Sequence, residues 1–295
     1  MFLAGNKNSV QRLSRATCSQ AVRCLSDVKA GGRTVSWEGG FTLLELLVVI
    51  AIFGMVAAIT LPAIKGIGKT AAINAATRQV LDDVAAARQA AISGRSEVYV
   101  VFVPPYLQWT NEAGAMLTWT LLPLNDRRIA TNLLAGQYTS YALFAARQVG
   151  DQPGQSHPRY LTPWRTLPRG TFFALQQFYG VQMTVQTGTG MLTVAPFERR
   201  LFPFPTASSP VSISLPCIGF DSAGRLINLR DTPIGYESIA LAQGSVMPLR
   251  DQNGQLRLEN ADVLETPPGN STNTFNVVRI DWLTGRARAE RREVK

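Results

Sequence analysis

The sequence predicts an α+β protein, with one long N-terminal helix packed on a mostly antiparallel, β-rich globular head. Three observations predict it. Phe41 to Ile64 is an apolar run carrying a single charge, Glu45. Beyond it, apolar residues recur at spacings of three and four as far as Ser93-Gly94. From Glu97 onward the pattern changes to short apolar and aromatic runs divided by Pro, Gly, Asn and Asp. With 46% apolar residues in 295, the chain can bury a sizeable core, which excludes wholesale disorder.

Residues 1–40 read as a leader. They hold six of the 29 basic residues (Lys7, Arg12, Arg15, Arg23, Lys29, Arg33) against two acids, Asp27 and Glu38. The net charge is +9 for the whole chain, but the other 255 residues carry only +5. Charge gathered at the front points to targeting before it points to a nucleic-acid partner, and none is expected. Cys18 and Cys24 also lie in the leader, leaving Cys217 alone in the remainder. With three Cys and His157 as the single His, no zinc-ligand spacing is present and no cofactor or metal is expected. Cys217, between Pro216 and Ile218, reads as a small core residue.

Residues 41–64 form the first half of the stem. As a helix they extend roughly 36 Å, enough to cross a hydrocarbon core of about 30 Å. The basic residues ahead of the run place the leader in the cytoplasm and everything after it across the membrane. A secretory signal fits poorly, because the small pair Gly39-Gly40 precedes the apolar run rather than following it. Glu45 needs a reason to be there, since a carboxylate costs about 2.5–3.5 kcal/mol at the bilayer centre and less near the interface. If the chain is cut after Gly40, Phe41 acquires a free α-amine, which a neighbouring copy can set against Glu45.

Gly40-Phe41-Thr42-Leu43-Leu44-Glu45-Leu46-Leu47 resembles the prepilin cleavage and methylation motif of type IV pilins and type II secretion pseudopilins. The resemblance implies that a membrane-embedded prepilin peptidase cuts between Gly40 and Phe41 and N-methylates Phe41. It also implies that Glu45, fifth in the mature chain, guides assembly with other pilins or pseudopilins on an inner-membrane platform. Gly54 and Pro62 fall fourteenth and twenty-second, where related pilins often carry Gly and Pro. Both weaken a helix, Gly through backbone entropy and Pro through a lost hydrogen bond. Glu38 departs from the pattern, since related leaders usually have Lys or Arg there, and a 40-residue leader is longer than most.

Residues 65–94 form the amphipathic half of the stem. Ile73, Ala76, Val80, Val84, Ala87 and Ala91 make the apolar stripe, with Arg78, Asp82, Asp83 and Arg88 assigned to other faces. The stripe is expected to pack on a sheet, with Ser93-Gly94 as the stop. Gly66 and Gly68 leave open a division into two helices.

Residues 95–295 form the head. Strands are expected at Glu97–Val103, Met116–Leu122, Tyr138–Ala146, Val211–Leu215, Ile218–Phe220, Arg225–Leu229, Ser238–Leu241 and Val277–Trp282. Val181–Ala195 reads as a hairpin around Gly188-Thr189-Gly190, and Thr171–Phe178 as a helix-like stretch. Three head segments resemble the H-type minor pseudopilins of type II secretion: Trp164–Gly170, Ile218–Arg225 and Arg279–Arg286. In the last two, Asp-x-x-Gly and Thr-Gly supply turn chemistry.

Candidate chemistry for an enzyme is thin. His157 sits in a Pro- and Gly-rich loop with no particular Ser or carboxylate brought to it by sequence, and Gly188-Thr189-Gly190 lacks the Gly-Lys-Ser/Thr of a phosphate loop. Asp262 and Glu265, near Pro267-Pro268-Gly269, are the acids that could contribute to a calcium site. The reading is a minor pseudopilin of a type II secretion system, single-pass in a bacterial inner membrane, with a cytoplasmic leader and a periplasmic head. A pilin or minor pilin of a type IV pilus is the alternative, and a membrane-tethered periplasmic enzyme the alternative of another class.

Overall fold

The computed structural model describes residues 41–290 except 112–113, 118–120, 153, 188–189, 205, 208, 228–234, 255, 258 and 274–275. Side chains at 59–69, 117, 185–187, 190 and 273 also lie outside the description. The chain divides into two units, Met1–Gly54 and Met55–Lys295. Helix α1, Leu43–Gly94, begins in the first and ends in the second. It runs unbroken through Gly66 and Gly68.

Its C-terminal end differs in one detail from expectation. The left-handed residue is Arg95, with φ 46°, rather than Gly94. The Ser96 N–H donates to the Ala91 carbonyl at 3.2 Å and the Arg95 N–H to the Ile92 carbonyl at 3.3 Å. That pair of bonds closes the helix as a Schellman motif, with a non-glycine residue in the left-handed position.

In chain order the head opens with strands β1 (Val98–Phe102), β2 (Gln108–Thr110) and β3 (Met116–Leu117), helix α2 (Leu124–Leu134) and strand β4 (Ser140–Ala145). Next come β5 (Arg159–Tyr160), β6 (Arg165–Thr166), β7 (Thr171–Phe173), β8 (Met183–Thr187), β9 (Gly190–Val194) and β10 (Glu198–Pro203). The last are β11 (Ser212–Phe220), β12 (Tyr236–Met247), β13 (Asp262–Glu265), helix α3 (Asn270–Asn273), β14 (Asn276–Asp281) and β15 (Ala287–Glu290). One sheet has the order β3-β2-β11-β1-β4-β5, with β10 also on β11 and β6 on β4. A second has the order β13-β12-β14-β15, with β7 also on β12, and β8-β9 is a separate hairpin. Every one of these pairings is antiparallel.

Strand β1 explains the architecture. Its side chains alternate between two cores. Val98, Val100 and Phe102 join the α1 stripe on one face, with Tyr141, Leu143, Ile218 and Phe220 from neighbouring strands. Tyr99, Val101 and Val103 join Leu133, Phe144, Phe202, Leu215 and Cys217 on the other. A sheet covered on both faces needs no polar side, which is why 98–103 reads as an unbroken apolar run. All six stripe residues of α1 are buried. Ala76, Ala87 and Ala91, with no exposed surface, let the helix lie close to the strands.

Five points differ from expectation. Asp83, assigned by sequence to a polar face, is 4% exposed. Met116–Leu122 is not one strand: β3 covers Met116–Leu117, 118–120 lie outside the described residues, and Leu121 is 3₁₀-helical and Leu122 a bend just ahead of α2. Helix α2 itself was not expected. Pro123 opens it, where a missing N–H is harmless, and Ala130, Leu133 and Leu134 bury its inner face. The Thr171–Phe178 stretch is β7 followed by a single 3₁₀ turn at Leu175–Gln177, because Phe172 and Phe173 belong to the sheet beside β12. Of the strand expected at Arg225–Leu229, the described residues show one bridge, Leu226 to Phe220.

Candidate functional site

The N-terminal end of α1 is built by a reciprocal cap. Thr42 is the residue before the first helical turn, and its backbone N–H donates to Glu45 Oε2 at 2.9 Å. Its hydroxyl donates to the same oxygen at 3.0 Å, and the Glu45 N–H reaches back to Thr42 Oγ1 at 3.2 Å. This is the Thr-x-x-Glu capping box, which satisfies donors that the first helical turn leaves free. Both side-chain bonds fall on Oε2, and Oε1 takes none among the described residues. Glu45 therefore has a local partner as well as an oxygen open to another. Sequence reasoning gave Glu45 its charge and missed its cap, although Thr42-Leu43-Leu44-Glu45 spells the motif.

The side chains that follow are bare. All of residues 41–58 are exposed, from Phe41 at 80% and Leu43 at 83% to Val49 at 43%. Exposed apolar surface of that extent on every side of a helix requires a covering. Among the described residues no helix is long and apolar enough to cross a membrane. The described side chains of the run stop at Ala58, and 59–69 lie outside the description.

The other motif positions divide as follows. Gly40 lies outside the described residues. Phe41 is described and exposed. A Cβ added at Gly54 would meet nothing within 4 Å, so no packing among the described residues requires that glycine. The helix is continuous through Pro62, whose side chain lies outside the description.

The two turn motifs of the head meet. Asp221 Oδ1 accepts from the Ala223 N–H at 2.9 Å and the Arg225 N–H at 2.8 Å. Asp281 Oδ1 accepts from the Thr284 N–H and hydroxyl, each at 2.8 Å. These bonds, the backbone one first, hold the Asp281 carboxyl below its ordinary pKa. A Cβ at Gly285 would run into the Gly224 carbonyl, and Arg88 Nε of α1 donates to the Thr284 carbonyl at 2.7 Å. Sequence reasoning found both turns but not their contact.

The remaining candidates lie elsewhere in the head. Cys217 is 2% exposed, and burial pushes its thiol up to about 12. His157 Nδ1 lies 2.9 Å from Asp151 Oδ1, a carboxylate that sequence did not single out. Asp151 also accepts the backbone N–H groups of His157 at 2.8 Å and Gln148 at 2.7 Å, which hold it down to about 2. This closes an exposed loop. Glu265 accepts from the Ser271 hydroxyl and N–H, and among the described residues no group of three acids, His or Cys could hold a metal ion.

Residues 38–61 match the family described as the prokaryotic N-terminal methylation motif. The match supports a protein of the type IV pilin-like class, carrying the motif that prepilin peptidase processes and that implies assembly with other pilin-type subunits. No curated protein and no solved structure matches the chain.

Proposed function

We propose that this chain is a minor pseudopilin, a structural and non-catalytic subunit of a type II secretion pseudopilus that serves protein export. The leader is removed at Gly40, Phe41 is N-methylated, and 41–64 anchors the subunit in the inner membrane with the head in the periplasm. Assembly moves the apolar stems from lipid to neighbouring stems, and the Phe41 amine of one copy pairs with Glu45 of the next. Gly54 and Pro62 loosen the helix between them in the filament. One observation carries the reading. A capped helix with an apolar surface exposed on all sides begins at Leu43, inside the stretch 38–61 that matches the methylation motif.

The cap suggests a test sharper than alanine alone. Glu45→Gln keeps a capping residue but loses the charge, whereas Glu45→Ala loses both. Both variants are expected to insert, and neither is expected to enter filaments in fractionated or cross-linked cells. Normal incorporation of Glu45→Gln would make the cap, not charge pairing, the assembly determinant. Recovery of the wild-type chain in fibres sheared from the cell surface would make it a pilin rather than a pseudopilin.

A further inference from the structure

Helix α2, the start of β4 and the side chains of Trp164, Thr166 and Phe204 line a solvent-open cavity of about 400 Å³ in the head. That volume lies in the range typical of small-molecule sites. Its apolar walls are Ile129, Leu133, Trp164 and Phe204. Trp164 is backed by a chain of aromatic rings: its centroid is 5.8 Å from Tyr160 in a tilted contact, and Tyr160 meets Phe144 of the core edge-on at 5.1 Å. Tyr160 is itself fixed by a 3.0 Å hydrogen bond from its hydroxyl to the Pro203 carbonyl. The indole is thus a half-buried platform whose position is set before any ligand arrives.

The polar part of the lining is neutral and convergent. Ser140 Oγ and Thr166 Oγ1 lie 2.9 Å apart and share one proton, so the second hydroxyl hydrogen is free to donate. Thr139 Oγ1 donates to the Gly136 carbonyl at 3.3 Å and keeps its lone pairs. The Asn132 amide at the rim makes no hydrogen bond among the described residues and offers both a donor and an acceptor. Among the described residues, none of the lining side chains is charged.

We propose that this cavity is a binding site for a neutral sugar ring. A pyranose has an apolar C–H face that lies against an indole and an equatorial rim of hydroxyls that pair with amide and hydroxyl groups. Among the described lining residues an anionic ligand would find no cation, and a purely aliphatic one would make no use of the Asn132 amide or of the second hydroxyl hydrogen of the Ser140–Thr166 pair. The site is independent of the filament reading, since none of its residues lies in α1.

The test is saturation-transfer NMR on the full chain in a detergent without a sugar headgroup, using methyl glucoside, methyl galactoside and N-acetylglucosamine as probes and hexanol as the aliphatic comparison. Transfer to at least one pyranoside is expected, with roughly tenfold weaker binding in Trp164→Ala. Ala135→Leu, at an exposed position on the cavity wall, is expected to block binding while leaving the circular dichroism spectrum unchanged. No transfer to any of the three sugars at millimolar concentration would overturn the proposal. So would transfer to hexanol alone, or sugar transfer undiminished in Ala135→Leu.

Discussion

Asp83 reaches the interior of the head only because two groups meet it there. The Tyr141 hydroxyl donates to Oδ2 at 2.5 Å, and Arg165 pairs with Oδ1. Gln79 Nε2 adds bonds to Tyr141 Oη at 3.0 Å and to the Thr166 carbonyl at 3.2 Å, tying α1 to β4 and β6. Burial first, and then the bond to Asp83, pushes the Tyr141 phenol above its ordinary pKa, so it stays a donor at neutral pH. Asp83→Ala is expected to lower stability by about 1–3 kcal/mol, chiefly because it leaves the buried Tyr141 hydroxyl without its acceptor, the exposed Arg165 guanidinium being solvated either way. Asp83→Asn, which keeps one acceptor oxygen, is expected to lose less. Urea unfolding of the detergent-solubilised protein measures both, and equal losses would contradict this account. Nothing in Leu81-Asp82-Asp83-Val84 distinguishes the buried acid from the exposed one. The distinction depends on partners 58 and 82 residues away.

At the scale of elements, legibility followed the range of the interactions. The α1 stripe could be read because its spacing is local and all its members face one sheet. The Asp221 and Asp281 turns could be read because each is closed by its own aspartate and glycine. Helix α2 was passed over because Pro123 looked like the end of a strand, and Ala130, Leu133 and Leu134 mark only three turn-spaced positions. The contact between the two turns joins segments about 60 residues apart, and no local pattern records it. That contact makes Gly285 special. Its φ is 62° and its missing side chain admits the Gly224 carbonyl, whereas Gly114, with φ 76°, faces open space. Gly114→Ala is expected to cost about 1 kcal/mol for the backbone conformation alone. Gly285→Ala is expected to cost at least about 1–2 kcal/mol more, because its Cβ meets backbone. Comparable unfolding midpoints for the two variants would argue against the docked turns.

The molecule as a whole sets two kinds of surface against each other. In the head, apolar residues are buried on both faces of the main sheet, whereas from Phe41 to Ala58 they are exposed. The sequence separated these regions because one is an unbroken helical-length run and the other is punctuated by turns. Thr42-Leu43-Leu44-Glu45 also spells the cap, a second role for Glu45 beside its charge. The account rests on Phe41 being a terminus rather than an interior residue. Mass spectrometry of the N-terminal peptide, from protein isolated from its native membrane, tests this most directly. The account predicts a chain beginning at N-methylated Phe41, and an unmodified chain still carrying residues 1–40 would contradict it.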